Sequence, residues 1–273
     1  MKKILLTLMC VALIGVCSSA SAETVLSDEQ LGELYAGLPF IVKPVVEQTN
    51  VAVLVADGHG MDGDIFGTGI NQDNSTWVSG FIGAHHVAVA AGPQKNIASL
   101  LAKDGNIKGA YIGQNNTASV NGGVLATGLP GFWGIPGIPY SVKEQLNVAV
   151  LSANERMGMG YMGSYGMGQN GDIEHVNINQ GNLAMVRGMI SGTDTATAIG
   201  SQTNIAALWA DDDIKDAKIT QKNRACVSAM LFACGKTVAV GPQMNSSVLF
   251  ADGSIACSRI SQSNIAGVSS GLK

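Results

Sequence analysis

The side chains in this sequence that could do chemistry are few, and most do not converge. His85 and His86 could ligate a transition metal, but neighbouring residues of a strand point to opposite faces, so the pair cannot hold one ion. Asp57, Asp62 and Asp64 surround glycines and offer hard oxygen ligands, yet they match neither the EF-hand nor the repeat-in-toxin spacing. Asp211-Asp212-Asp213 begins seven residues past Asn204, where a chain corner is due, and reads as a solvated turn that limits aggregation. Met157, Met159, Met162 and Met167 could bind a soft ion such as copper(I), but read better as a flexible apolar loop. Cys226, Cys234 and Cys257 are odd in number and fit no zinc spacing. No nucleophile-elbow, zincin or phosphate-loop signature occurs. No catalytic residue, metal site or cofactor is expected, and the chain does not read as an enzyme.

The chemistry that does recur is carboxamide hydrogen bonding. Ten of the twelve glutamines begin a Gln-x-Asn unit. The pairs are Gln48 and Asn50, Gln72 and Asn74, Gln94 and Asn96, Gln114 and Asn116, and Gln145 and Asn147. They continue as Gln180 and Asn182, Gln202 and Asn204, Gln221 and Asn223, Gln243 and Asn245, and Gln262 and Asn264. Two residues past each Asn stands Ala, Thr or Ser, and two further on stands Leu or Val in every copy. Offsets of zero, two, four and six place all four side chains on one face of a β-strand, whereas a helix would scatter them. A carboxamide both donates and accepts. Identical amides stacked at the strand spacing of about 4.8 Å can therefore bond up and down a ladder. A register slip of one residue would turn every amide to the outside. The fold expected is all-β: a parallel β-solenoid of Gln-x-Asn-x-Ala-x-Leu/Val strands, with a short N-terminal helix.

Two kinds of unit alternate. Ile stands two residues before Gln72, Gln114, Gln180, Gln221 and Gln262, while Gly stands before Gln94, Gln202 and Gln243. Gly92-Pro93, Gly200-Ser201 and Gly241-Pro242 read as corners just before the strand, because proline is tolerated at a strand start. In-register stacking rewards identical neighbours, so two arms per turn are expected. Ile219 would then lie over Ile178 and under Ile260, Gly241 over Gly200, and Cys234 and Cys257 on different arms. Insertions near 129–140, with Trp133, and 156–171, rich in Met and Gly, lengthen two steps and read as loops at solenoid corners.

Residues 1–22 read as a signal peptide: Lys2 and Lys3, an apolar run, then Ala20-Ser21-Ala22 as cleavage site. Residues 23–43 form a leader or capping segment, in which Ser27 and Gln30 make a capping box for a short amphipathic helix. Residues 44–273 are the repeat domain. Losing both signal lysines leaves 14 Lys+Arg against 20 Asp+Glu, a net charge near −6, which argues against a nucleic-acid partner. No segment of the mature chain is long and apolar enough to span a membrane as a helix.

The Gln-x-Asn-x-Ala units of about 20 residues resemble those of bacterial functional-amyloid subunits, the curlin-like and Fap-type families. Curlin repeats carry Gln-x-Gly-x-Asn-x-Ala, so here Asn follows Gln by two positions instead of four. The segments 87–96 and 238–245 resemble the Fap-type run into Gln-x-Asn, with Ala88 and Ala239 where that run has Asn. Residues 25–37 resemble the acidic leader helices read by peptidase-linked exporters, and read equally well as a helix capping the open end of the solenoid. The resemblance implies a secreted protein at the extracellular or outer surface of a Gram-negative-type bacterium. It would be a subunit or nucleator of an amyloid-like fibre in biofilm matrix or surface adhesion. The implied partners are further copies of itself, a second fibre subunit and an outer-membrane exporter. The alternative is a monomeric, capped solenoid adhesin whose Trp133 and Met-rich loops touch a surface ligand.

Overall fold

A computed structural model describes residues 47–57, 63–84, 87–103, 105–126, 138–154 and 171–269. The chain divides into two units, Met1–Ile41 and Val42–Lys273, and every described residue belongs to the second. The signal peptide, the leader helix, His85-His86, Asp62, Trp133 and the four loop methionines lie outside the described residues.

Among the described residues, seventeen strands wind through five turns. The first carries β1 (Gln48–Asp57), β2 (Ile65–Phe66) and β3 (Gly69–Ala84). The second carries β4 (Val87–Ala91), β5 (Gln94–Lys103), β6 (Ile107–Lys108) and β7 (Tyr111–Ala126). The third carries β8 (Ile138–Asn154), β9 (Ile173–Glu174) and β10 (Asn177–Gly192). The fourth carries β11 (Thr195–Ala210), β12 (Ile214–Lys215) and β13 (Lys218–Ala233). The fifth carries β14 (Lys236–Val240), β15 (Gln243–Ala251), β16 (Ile255–Ala256) and β17 (Arg259–Val268). Three parallel sheets result. The front sheet runs β1-β5-β8-β11 and on to β14 and β15, with β4 beside β8; the back sheet runs β3-β7-β10-β13-β17; the corner sheet runs β2-β6-β9-β12-β16. The molecule is a parallel β-solenoid with two Gln-x-Asn arms in each turn.

Register follows the repeat. Gln94 pairs with Gln48 and Gln145 on the front sheet, and Gln180 with Gln114 and Gln221 on the back. Ile219 lies between Ile178 and Ile260. A Cβ on Gly241 would approach within 2.9 Å of the Gly200 backbone, so only glycine fits that close stack. The expected corner at Gly200-Ser201 is not a break: β11 runs straight through it, and β8 through Lys143-Glu144. Among the described residues, ladder continuity of the front sheet is lost only at Gly92-Pro93 and Gly241-Pro242, where proline has no N–H to give. The insertion near 129–140 likewise ends early, because β8 already begins at Ile138.

Inward side chains sort into three stripes. One apolar cluster joins the ends of the front strands (Ala98, Leu100, Ala102) to the corner and the starts of the back strands (Ile107, Ile112). The other joins the leads into the front strands (Ala88, Ala90) to the ends of the back strands (Val120, Val124). The two arms therefore run in opposite directions across the core, and the amides fall between two hydrophobic stripes.

The corner has its own ladder. Asp64 Oδ1 accepts the N–H of Asn106 (2.6 Å), Asn106 Oδ1 that of Asp172 (2.8 Å), Asp172 Oδ1 that of Asp213 (3.0 Å) and Asp213 Oδ1 that of Ser254 (2.6 Å). Three residues further on, Gly67, Gly109, His175, Asp216 and Cys257 form a column with positive φ, between 52° and 67°. Each corner thus satisfies its backbone with the side chain of the turn before.

Candidate functional site

The ten asparagines form one staircase through the solenoid. Each Nδ2 donates to the next Asn on the opposite arm and to the next on its own arm. Asn96 reaches Asn116 (3.1 Å) and Asn147 (3.0 Å), Asn147 reaches Asn182 (3.0 Å) and Asn204 (2.9 Å), and Asn182 reaches Asn204 (3.0 Å) and Asn223 (2.8 Å). The stair begins at Asn50, bonded to Asn74 and Asn96, and ends where Asn223 and Asn245 donate to Asn264. Each amide nitrogen also caps a backbone carbonyl of the facing arm, as Asn116 does at Leu146 (3.1 Å).

The glutamines stay in two separate columns and point the other way. On the front arm Gln94 donates to Gln48, Gln145 to Gln94, Gln202 to Gln145 and Gln243 to Gln202. On the back arm Gln114 donates to Gln72, Gln180 to Gln114, Gln221 to Gln180 and Gln262 to Gln221, each at 2.8 Å. Amide dipoles of the Asn stair and the Gln columns therefore oppose one another. From Gln72 to Asn223 both kinds of amide are buried. Among the described residues the one buried side-chain nitrogen or oxygen without a partner is Ser141 Oγ.

Opposed polarity makes the two ends of the solenoid different and complementary. At the first turn nothing among the described residues donates to Asn50 Oδ1, and Gln72 Nε2 donates only to the Ile97 carbonyl. At the last turn, among the described residues, Asn264 Nδ2 donates only to the Gln243 carbonyl (3.2 Å), while nothing donates to Gln262 Oε1. One end offers Gln donors and Asn acceptors; the other offers Asn donors and Gln acceptors. The apolar residues follow suit: Leu54 at one end and Ile255, Ile260 and Val268 at the other are exposed, whereas their equivalents in the middle turns are buried. Among the described residues, strands β1 and β3 at the start, and β15 and β17 at the finish, each pair on one side only.

The remaining candidates are structural or unconnected. Asp57 pairs with Lys103 (3.0 Å), and Asp64 begins the corner ladder. Asp211-Asp212-Asp213 follows β11 at a corner, as read, but stacking brings Asp172 beside it, so that Asp172, Asp212 and Asp213 oxygens lie within 4.8 Å. Two of these carboxylates, Asp172 and Asp213, already accept hydrogen bonds. A hydrogen bond from Lys215 Nζ (2.7 Å), joined by the N–H and O–H of Ser254, lowers the Asp213 carboxyl to about 2. Burial, then the charges of Asp213 and Asp172, push Asp212 upward from 3.8. Cys226, Cys234 and Cys257 are free thiols.

The corner ladder escaped the repeat reading although its signal is plain. Ile65, Ile107, Ile173, Ile214 and Ile255 each stand seven residues before a back-arm Gln, and Asp, Asn or Ser precedes every one of them.

Fold and ends together define an open β-solenoid whose distinctive chemistry is amide stacking. Compared with models of known protein families, with curated proteins and with solved structures, the chain matches none.

Proposed function

We propose that this protein is a structural subunit, or nucleator, of an extracellular amyloid-like fibre, built by head-to-tail stacking of solenoids. The observation that carries the reading is the complementarity of the two ends. A second copy placed on the last turn brings its Gln48 and Gln72 donors to Gln243 and Gln262, in the sense in which each Gln already donates to the turn before. Asn245 and Asn264 in turn meet Asn50 and Asn74 of the newcomer. Both apolar stripes continue across the joint, and unpaired strand edges gain a partner, which is the physics of templated cross-β growth.

The test is polymerisation of the full purified chain. Sedimentable, thioflavin-positive fibres with a meridional reflection near 4.8 Å are expected. Ala266→Lys, which turns a charge inward on the last turn, should keep the monomer fold and fail to extend wild-type seeds. A chain that stays monomeric for days, or fibres lacking that reflection, would overturn the proposal.

A further inference from the structure

The outward faces of the two arms are chemically unlike. Consider the positions three, five and seven residues past each glutamine, which point away from the core. On the front sheet these fifteen side chains comprise twelve apolar residues and three serines, with no charge. The same fifteen positions on the back sheet hold nine polar side chains, Arg187 and Arg224 among them. On the front face Val53 is 62% and Val248 55% exposed, Val150 and Ile205 are half-buried, and Trp209 stacks on Phe250 at 4.3 Å. Ile97 and Ser152 are the exceptions, already buried.

From this asymmetry we infer that the front sheet is a lateral interface, on which a second copy of the chain docks face to face. Size fits the occupant once the outward offset-one positions (Thr49, Lys95, Leu146, Thr203 and Met244) are included with the apolar ones: five strands by about eight residues span about 24 Å by about 27 Å, roughly 650 Å² in projection and more with side-chain relief. A standard protein interface uses roughly 800 Å² per partner. Period fits as well: two such faces share one axial spacing, so every turn of one copy meets a turn of the other. A two-fold axis parallel to the solenoid lays the middle column, centred on Val150, against itself. The chain's own residues 25–37 fit less well, since a helix of that length is about 20 Å long and about 10 Å wide and would cover one strip of the face. Lateral pairing uses a surface other than the solenoid ends, so it does not depend on fibre growth.

Sedimentation velocity and cysteine crosslinking of the full chain test the inference. The variant Val150→Lys charges the centre of the front face; Ser119→Lys makes the same change at the equivalent back-arm offset. Wild type and Ser119→Lys should sediment as dimers at micromolar concentration, and Val150→Lys as a monomer with unchanged far-ultraviolet circular dichroism. With all five native cysteines replaced by serine, Val150→Cys should crosslink to itself under mild oxidation, and Ser119→Cys should not. A monomeric wild type whose Val150→Cys thiol is shielded from maleimide would mean that the chain covers the face itself, and would overturn the inference. So would a monomer that binds phosphatidylcholine vesicles through Val150, or Val150→Lys dimers as tight as wild type. Fibres, where they form, separate the two readings. Val150→Lys fibres of half the wild-type mass per length support pairing, and equal mass per length refutes pairing while leaving fibre growth intact. Dimers without any fibre refute fibre growth alone.

Discussion

Asn204 sits at the middle of the amide staircase, and its replacement by alanine tests the buried ladder directly. Its Nδ2 donates to the Lys222 carbonyl (3.2 Å), to Asn223 Oδ1 (2.9 Å) and to Asn245 Oδ1 (2.9 Å). Its Oδ1 accepts from Asn147 (2.9 Å) and Asn182 (3.0 Å). Three donated contacts share two hydrogens, so about four hydrogen bonds disappear, at about 0.5–1.5 kcal/mol each. The deprived asparagines each keep another ladder partner, which places the expected loss near the middle of that range, about 3–4 kcal/mol. For a domain of this size that is a fall of about 10 °C in melting temperature. Thr203→Ala, one position from Asn204, and Lys222→Ala, one position from Asn223, both facing outward, should each stay within about 0.5 kcal/mol. Asn204→Asp adds a second arm to the test. It removes both donors and sets a carboxylate against two amide oxygens, so at neutral pH it should cost at least as much as alanine. Acidification should recover part of the loss, because a protonated carboxyl regains one donor. The readout is thermal melting of the soluble chain by circular dichroism. Equal shifts for Asn204→Ala and Thr203→Ala, or a harmless Asn204→Asp, would refute the buried, fully bonded ladder.

Ser141 occupies a column in which the turns on either side place Ala90 and Ala198, and its buried hydroxyl has no partner; Ser141→Ala should raise stability by about 1 kcal/mol, and a lower melting temperature would count against the assignment. At Gly188, φ is 122° and an added Cβ would fall 2.0 Å from the Gly122 carbonyl oxygen. Gly188→Ala should therefore destabilise by about 1–3 kcal/mol, with Met189→Ala as the nearby exposed control. Asp213 has its pKa depressed from 3.8 to about 2, so its contribution is fully present above about 4 and is lost as pH falls toward 2. Asp213→Asn should flatten the acid side of the stability profile in that window, and an unchanged slope would show that the Lys215 and Ser254 contacts do not persist in solution.

Much of the solenoid was legible in the chain itself. A period of two fixes which face of each unit turns inward, and the strict recurrence of Gln, Asn, a small residue and Leu or Val fixes register. Alternation of Ile and Gly before the glutamine sorts eight of the ten units into two arms, since stacking in register places like on like, and Gln48 and Gln145, preceded by Val46 and Lys143, take their arms from the alternation. The ladder residues could thus be named before any coordinate. The corner column of Asp64, Asn106, Asp172, Asp213 and Ser254 was equally within reach, at eight residues before each back-arm glutamine, but it emerges only when the arms are counted separately. Outward positions such as Lys95 and Lys222 suggested one variable, solvent-facing class; separating the arms shows an apolar front and a polar back.

What tertiary structure decided lies across the core, where the sequence carries no distances. The facing arms approach closely enough for short Asn side chains to meet in the middle and share one staircase. The longer Gln side chains reach past one another to the carbonyls of the opposite arm, and so bond to one another only along their own columns. From that difference of one methylene come the opposed amide polarities, and from those the unlike, complementary ends. Stacking also carries Asp172 to Asp212 and Asp213 across 40 residues of chain, and it leaves Ser141 without a partner in a column of alanines. Period and composition determine which residues face inward; the distance between the two arms determines which of them touch.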